Sequence, residues 1–155
     1  MLEPGTKAPP FTLTEPSGKK VSLEDFAGRN VILYFYPKDD TPGCTKEACG
    51  FRDAWTDLQE LGVAVLGVSA DDAESHTRFA TKYRLPFTLL SDPDRKVMTA
   101  YGAYGPKTMY GRKVVGVIRS TVWIGPDGQV RKHWAKVANA AAHPDQVLAA
   151  LREGL

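Results

Sequence analysis

Two apolar runs, Val31-Ile32-Leu33-Tyr34-Phe35-Tyr36 and Val63-Ala64-Val65-Leu66-Gly67-Val68-Ser69, flank a stretch whose apolar residues recur at helical rather than alternating intervals. Continuous apolar runs of this length suit strands buried on both faces, and a helix between them makes a βαβ unit. The two strands are then expected to be parallel neighbours joined by a right-handed crossover. Any fold open to the chain has to contain that unit, which confines it to the α/β class.

The flanking segments extend this frame. Phe11-Thr12-Leu13-Thr14 and Lys20-Val21-Ser22-Leu23 surround the turn Glu15-Pro16-Ser17-Gly18 and predict an N-terminal hairpin, after which Ser22 and Asp25 can cap a short helical turn. The central helix is predicted to run to about Leu61, and Asp71 or Asp72 can cap a second one to about Arg84. Phe87–Leu90 reads as a short strand and Arg95–Tyr101 as a short helix before a loop rich in Gly, Pro and Lys. Val117–Ile124 and Gln129–Trp134, around Gly125-Pro126-Asp127-Gly128, form the clearest antiparallel hairpin, and Pro144–Glu153 the closing helix. This order is a thioredoxin-like arrangement, here with an extra N-terminal β-hairpin and an inserted segment around residues 85–112. One domain over residues 1–155 is expected, with no internal repeat.

Composition narrows the function classes. A formal net charge of +2 makes no general case for nucleic acid or an anionic membrane as partner. Lys107, Arg112, Lys113, Arg131 and Lys132 read as solvated charges, whereas Arg119 stays a candidate for the site. Met1–Lys7 has no apolar targeting core and no later run reaches the roughly 20 residues of a membrane helix, so a soluble, cytoplasmic protein is expected. The three histidines, His76, His133 and His143, are scattered without partners at ligand spacing. No metal or cofactor is therefore expected, and each histidine is read as a surface or packing residue.

The chemistry points to the segment Pro37-Lys38-Asp39-Asp40-Thr41-Pro42-Gly43-Cys44-Thr45-Lys46-Glu47-Ala48-Cys49, which holds both cysteines. In a reducing compartment so local a pair suits catalysis better than a structural staple. A strand delivers Cys44 to a helix start near Gly43, where free N–H groups and the dipole favour a thiolate. Cys44 shares a helical stripe with Ala48, Phe51, Trp55 and Leu58 and is expected to face inward at the mouth of an apolar pocket. Cys49 is turned roughly 140° away, onto the wetter flank. Residues five apart in a helix have Cα atoms roughly 8 to 9 Å apart, too far for a disulfide unless the first turns unwind. The pair is thus either two unrelated thiols or a switch that opens on oxidation. Asp39 and Asp40 oppose a nearby anion unless they point away, while Thr41 and Arg119, the latter on a strand beside the cysteine strand, favour it. Pro37 and Pro42 would fix the loop and limit water, which suits attack on a small polar electrophile with a good leaving group.

These residues resemble the peroxiredoxins, within them the bacterioferritin-comigratory or Q-type group. The pattern Pro-x-x-x-Thr-x-x-Cys is met by Pro37, Thr41 and Cys44, and Tyr36 to Asp53 is similar to that group almost throughout. The likeness extends to Gly5–Pro10, Gly67-Val68-Ser69, Phe87–Asp92 and Arg119-Ser120-Thr121. The resemblance implies a thiol peroxidase in which Cys44 attacks a peroxide and becomes a sulfenic acid, Cys49 resolves it as an intramolecular disulfide, and thioredoxin or a similar dithiol reduces that bond. It also implies that Thr41 and Arg119 hold the peroxide and the thiolate, that Pro37 shields the site and that Glu47 orients Arg119, with Gly43 supporting. Val122-Trp123-Ile124-Gly125 departs from the group's pattern and is expected to reshape the pocket wall.

Other readings differ in turnover. A one-cysteine peroxidase would leave Cys49 a bystander, and a peroxide sensor would consume about one equivalent. A disulfide oxidoreductase is disfavoured because its Cys-x-x-Cys spacing keeps both sulfurs bridgeable. A local disulfide needs no second subunit, so a monomer is expected.

Overall fold

A computed structural model describes residues 2–155. The elements are β1 (Thr12–Thr14), β2 (Lys20–Ser22), a 3-10 turn (Leu23–Phe26), β3 (Asn30–Phe35), α1 (Pro42–Asp53), α2 (Trp55–Glu60), β4 (Val63–Ser69), α3 (Ala73–Tyr83), β5 (Thr88–Ser91), α4 (Lys96–Ala100), β6 (Tyr104–Met109), β7 (Arg112–Val117), β8 (Ser120–Ile124), β9 (Val130–Trp134) and α5 (His143–Gly154). The seven-stranded sheet has the order β2-β1-β5-β4-β3-β8-β9. β3 is its pivot, parallel to β4 from Asn30 opposite Val63 to Phe35 opposite Val68, and antiparallel to β8. The expected βαβ unit and the closing hairpin therefore share one central strand. With α1 and α5 packed together on one face, the order β4-β3-β8-β9 is the thioredoxin-type arrangement.

The pleat of β3 separates two cores. Val31, Leu33 and Phe35 point to one, with Leu66 and Val68 of β4, Leu90 of β5, Met98 of α4 and Tyr101. Ile32, Tyr34 and Tyr36 point to the other, with Ala48 and Phe51 of α1, Phe79 of α3, and Val147 and Leu151 of α5. Because β3 runs straight into Pro37–Thr41, it ends at the start of α1 and delivers Cys44 to the second face.

Three expectations need correction. The helix predicted to reach Leu61 breaks at Ala54, whose backbone (φ −88°, ψ 2°) leaves the helical well, so α1 and α2 are separate pieces. The supposed loop after α4 is a two-stranded ribbon, β6 with β7, closed by Tyr110 and Gly111, both at positive φ (52° and 76°) as a tight hairpin turn requires. Pro106 is tolerated because the ribbon is only two strands wide. The strand predicted over Val117–Ile124 is interrupted at Ile118 and Arg119. There the Ile118 N–H donates to the Ala103 carbonyl (2.7 Å) and the Arg119 carbonyl accepts from Val137 N–H (2.8 Å), outside the sheet ladder.

Among the described residues no helix is long and apolar enough to cross a membrane.

Candidate active site

Thr41 is the residue before α1, and its carbonyl accepts the first helical bond from Thr45 N–H at 2.8 Å. Pro42 occupies the first helical position, where its missing N–H costs nothing. Cys44 thus lies in the first turn, with Cys44, Ala48, Phe51 and Leu58 of the stripe buried and Trp55 half-buried. At 2% exposure Cys44 is closed over in this structure rather than standing at an open pocket mouth. Cys49 is half-buried on the other flank, and both thiols are free. Its neighbours Lys46, Gly50, Asp53, Asp145 and Leu148 line a groove of about 450 Å³ between α1 and α5.

Arg119 reaches the sulfur from the interruption between β7 and β8 rather than from a strand. Its Nη2–H donates to Cys44 Sγ at 3.3 Å, and its Nη1–H donates to Glu47 Oε1 at 2.8 Å. A guanidinium is a planar fork, so two fixed partners fix its plane. Gly43 leaves the room for it: a Cβ there would lie 3.1 Å from Arg119 Nη2. Burial alone would weaken the guanidinium's hold on its proton, but Glu47 and Cys44 outweigh it and keep Arg119 charged.

Glu47 is 0% exposed, and its Oε2 has no hydrogen-bond partner among the described residues. Burial outweighs the pull of Arg119 and pushes its carboxyl up to about 7. The Tyr34 hydroxyl, also buried without a partner among the described residues, is held neutral by burial first and by the charges of Glu47 and Cys44 second. Its ring lies over Gly67, where a Cβ would come within 2.9 Å of Cζ.

The two aspartates of the loop are turned away from the sulfur by α3. Asp40 takes a left-handed conformation (φ 56°), and its carboxylate accepts from Lys82 Nζ and Tyr83 OH, both at 2.8 Å. Asp39 turns inward to Tyr36 OH, Ser75 and His76. The Thr41 hydroxyl donates to the Lys38 carbonyl at 2.8 Å and makes no bond to Cys44. Pro37 is half-buried at the end of β3.

Of the residues singled out from the sequence, Cys44, Glu47, Arg119 and Gly43 come together, Thr41 and Pro37 stand beside them on the loop, and Cys49 lies apart. All three histidines are buried, so the surface half of their reading is wrong. His143, at the start of α5, shares a hydrogen bond between Nε2 and Thr121 Oγ1 at 2.8 Å, and burial lowers it to about 4. The spacing of His76, Phe79 and Tyr83 along α3 was the available sign that His76 faces inward. Trp123 does not shape the pocket: its indole N–H donates to Asn30 Oδ1 at 2.9 Å, at the opposite end of β3.

Comparison with known proteins places the chain in a family. The AhpC/TSA family model matches residues 4–133. The putative peroxiredoxin bcp of Coxiella burnetii is 53% identical over 136 residues, covering 88% of this chain and 90% of that protein. Peroxiredoxin Bcp of Escherichia coli K12 is 43% identical over 152 residues, covering 98% and 97%. The bacterioferritin comigratory protein of Xanthomonas campestris, studied for its alkyl peroxide reduction activity, superposes with a TM-score of 0.89 at 37% identity over 97% of this chain and 98% of that one. With a likeness that spans nearly the whole chain in both sequence and fold, the protein belongs to the AhpC/TSA family as a peroxiredoxin of the Bcp or Q type, a peroxidase among the oxidoreductases.

Proposed function

We propose that the chain reduces hydrogen peroxide and organic hydroperoxides through Cys44, with Cys49 as the resolving thiol and thioredoxin or a similar dithiol protein as reductant. The observation that carries this reading is the Arg119 guanidinium shared between Cys44 Sγ (3.3 Å) and buried Glu47 (2.8 Å). A fixed cation favours the anionic nucleophile, and its N–H groups can hold charge developing on the leaving oxygen. Because the Thr41 hydroxyl spends its hydrogen on Lys38, its lone pairs are free to accept from a peroxide O–H. Pro37 shields the site from the strand side.

In the first step the Cys44 thiolate attacks the terminal peroxide oxygen, the O–O bond breaks, and the leaving oxygen takes a proton and departs as water or alcohol. Sulfur is oxidised to the sulfenic acid. The Cys49 thiol then displaces that oxygen as a second water, forming Cys44–Cys49, which requires the start of α1 to unwind. The alkyl peroxide reduction activity of the Xanthomonas campestris relative supports including organic hydroperoxides. The groove beside Cys49 suits approach of a dithiol, whose two thiols leave as a disulfide when Cys44 and Cys49 are restored. A single-domain monomer in the cytoplasm fits this cycle, and the sheet edges β2 and β9 carry exposed Lys20, Arg131 and Lys132, which discourage edge pairing.

The test is peroxide consumption by wild type, Cys44→Ser and Cys49→Ser with thioredoxin and its reductase, with a mass spectrum after one equivalent of peroxide. Turnover and loss of two hydrogens in wild type, no activity in Cys44→Ser and a trapped sulfenic acid in Cys49→Ser are expected. Full turnover by Cys49→Ser would assign resolution to an external thiol, and a halt after one equivalent with every donor would favour a sensor.

A further inference from the structure

The helix α3 holds the cysteine segment at both ends. Upstream, Asp40 is bound by Lys82 and Tyr83 and Asp39 by Ser75 and His76, all four on α3. Downstream, the Arg52 Nη1–H of α1 donates to the Tyr83 carbonyl at 2.8 Å. Between these holds lie residues 41–51, which contain both cysteines.

The innermost hold is a buried ionisable pair that the catalytic cycle does not use. His76 and Asp39 are 0% and 3% exposed at their side chains, with Nδ1 and Oδ2 2.7 Å apart. His76 Nε2 faces the Leu90 carbonyl at 3.0 Å, and a carbonyl only accepts, so Nε2 carries a hydrogen. A second proton therefore lies between Nδ1 and Oδ2. Tyr36 OH donates to the other carboxyl oxygen at 2.6 Å, and Ser75 donates to Oδ2 at 2.8 Å. The Asp39 N–H donates to Asp71 Oδ2 at 2.8 Å, which also takes the Ser69 hydroxyl at 2.7 Å. A buried ion pair often contributes no more to stability than well-packed apolar residues of the same volume, so stability alone does not require it. What such a satisfied network supplies is a unique geometry.

We propose that the His76–Asp39 pair is a positioning device for the peroxidase reaction. It pins residues 37–41 to α3, so that the first turn of α1 opens for the Cys44–Cys49 bond and closes again onto an unmoved Thr41. When that turn opens, the Thr45-to-Thr41 bond and the Arg119 contact to Sγ are both lost. Re-forming them in register requires that Thr41 has not drifted. His76 touches neither the sulfur nor Arg119 and acts through the loop. The inference rests on the peroxidase reading and adds to it the element that brings the site back together.

The experiment compares reduced wild type, His76→Gln, Asp39→Asn, the double variant and the milder Tyr36→Phe, all held well below their melting temperatures. Rapid-mixing fluorescence gives the rate constant with hydrogen peroxide, and hydrogen exchange is read peptide by peptide. Each single variant at the pair is expected to react about tenfold more slowly, the double no more slowly than the worse single, and Tyr36→Phe in between. Exchange should quicken in the peptide spanning residues 39–51 and not in the one spanning 120–134. Should His76→Gln fail to fold, Tyr36→Phe and Ser75→Ala carry the same comparison. Rates within twofold of wild type in the folded variants, or exchange that quickens uniformly along the chain, would overturn the proposal. If wild type itself does not react with peroxide, the peroxidase reading fails, while the local exchange pattern still reports on the anchor.

Discussion

On one face of the sheet, Val31, Leu33 and Phe35 of β3 meet Leu66, Val68, Leu90, Met98 and Tyr101. On the other, Ile32 and Tyr34 of the same strand, with Tyr36 just past its end, meet a helix layer that carries Cys44, Glu47, His76 and His143 in buried positions. The strand is common to both and the pleat assigns alternate residues to each. The first face hides mostly apolar surface, with His133 beside Val122 and Asp92 beside Met98 as its buried polar groups. The second hides an acid whose free oxygen finds no partner and a phenol in the same condition among the described residues. Reactivity and stability are thus drawn from opposite sides of one six-residue strand. The chemistry proposed for Cys44 can be altered there without removing the other core.

Four substitutions test that division, beginning with the largest effect. Arg119→Ala should lower the peroxide rate constant by about 100- to 1,000-fold, since it removes the cation at the sulfur. Above pH 7 it should also lose stability, because buried Glu47 is left without its cation, and the loss should shrink as pH falls and Glu47 takes up a proton; a loss that persists at pH 5 would break the division. Leu33→Ala, on the apolar face at 0% exposure, should cost about 3 kcal/mol in denaturant unfolding, with the rate per folded molecule unchanged.

Glu47→Gln isolates the cost carried by the reactive face. The folded protein holds a proton on Glu47 up to about pH 7, while the unfolded chain releases it near 4.5. Wild type should therefore lose stability relative to the Gln variant as pH rises from 5 to 8, by about 2–3 kcal/mol, in paired urea titrations. A flat difference would mean that Arg119 fully offsets the burial. The opposite slope belongs to His143, which is lowered to about 4: its contribution is present above 6.5 and is lost as pH falls toward 4. The smallest effect is expected from Gly43→Ala, whose Cβ would crowd Arg119 at 3.1 Å and slow the peroxide step about tenfold with stability nearly unchanged.

Much of the scaffold could be read from residues alone, because local patterns drive it. The apolar runs around residues 31–36 and 63–69 became β3 and β4 in parallel register, and the turn at residues 125–128 joined β8 to β9. Cys44 emerged in the first turn of α1 because a strand followed by Pro42 leaves few alternatives. The β6–β7 ribbon was missed because Gly105, Pro106 and Gly111 are loop residues by local preference, and the pairing of Tyr104 with Val117 is what overrode them. The break at Ala54 left no mark in the stripe Phe51, Ala54, Leu58, which stays buried across it. Arg119 was a candidate cation from its place near the cysteine strand, but its contact with Glu47 came only through likeness to a family, since a cation between two strands has no local signature.

The sequence by itself determined the α/β class, the central βαβ unit, the helix start that receives Cys44 and the distance that bars Cys49 from it within a regular helix. All of these follow from interactions between residues near in the chain, where dihedral preferences and side-chain periodicity suffice. Only the tertiary structure decided that Glu47 meets Arg119 across 72 positions and that the loop aspartates part company onto α3. The same holds for His76, which it buries against Asp39 instead of leaving it on the surface. Those outcomes depend on burial, which raises the cost of an unpaired charge and so selects its partner, and burial is a property of the assembled layers rather than of any segment.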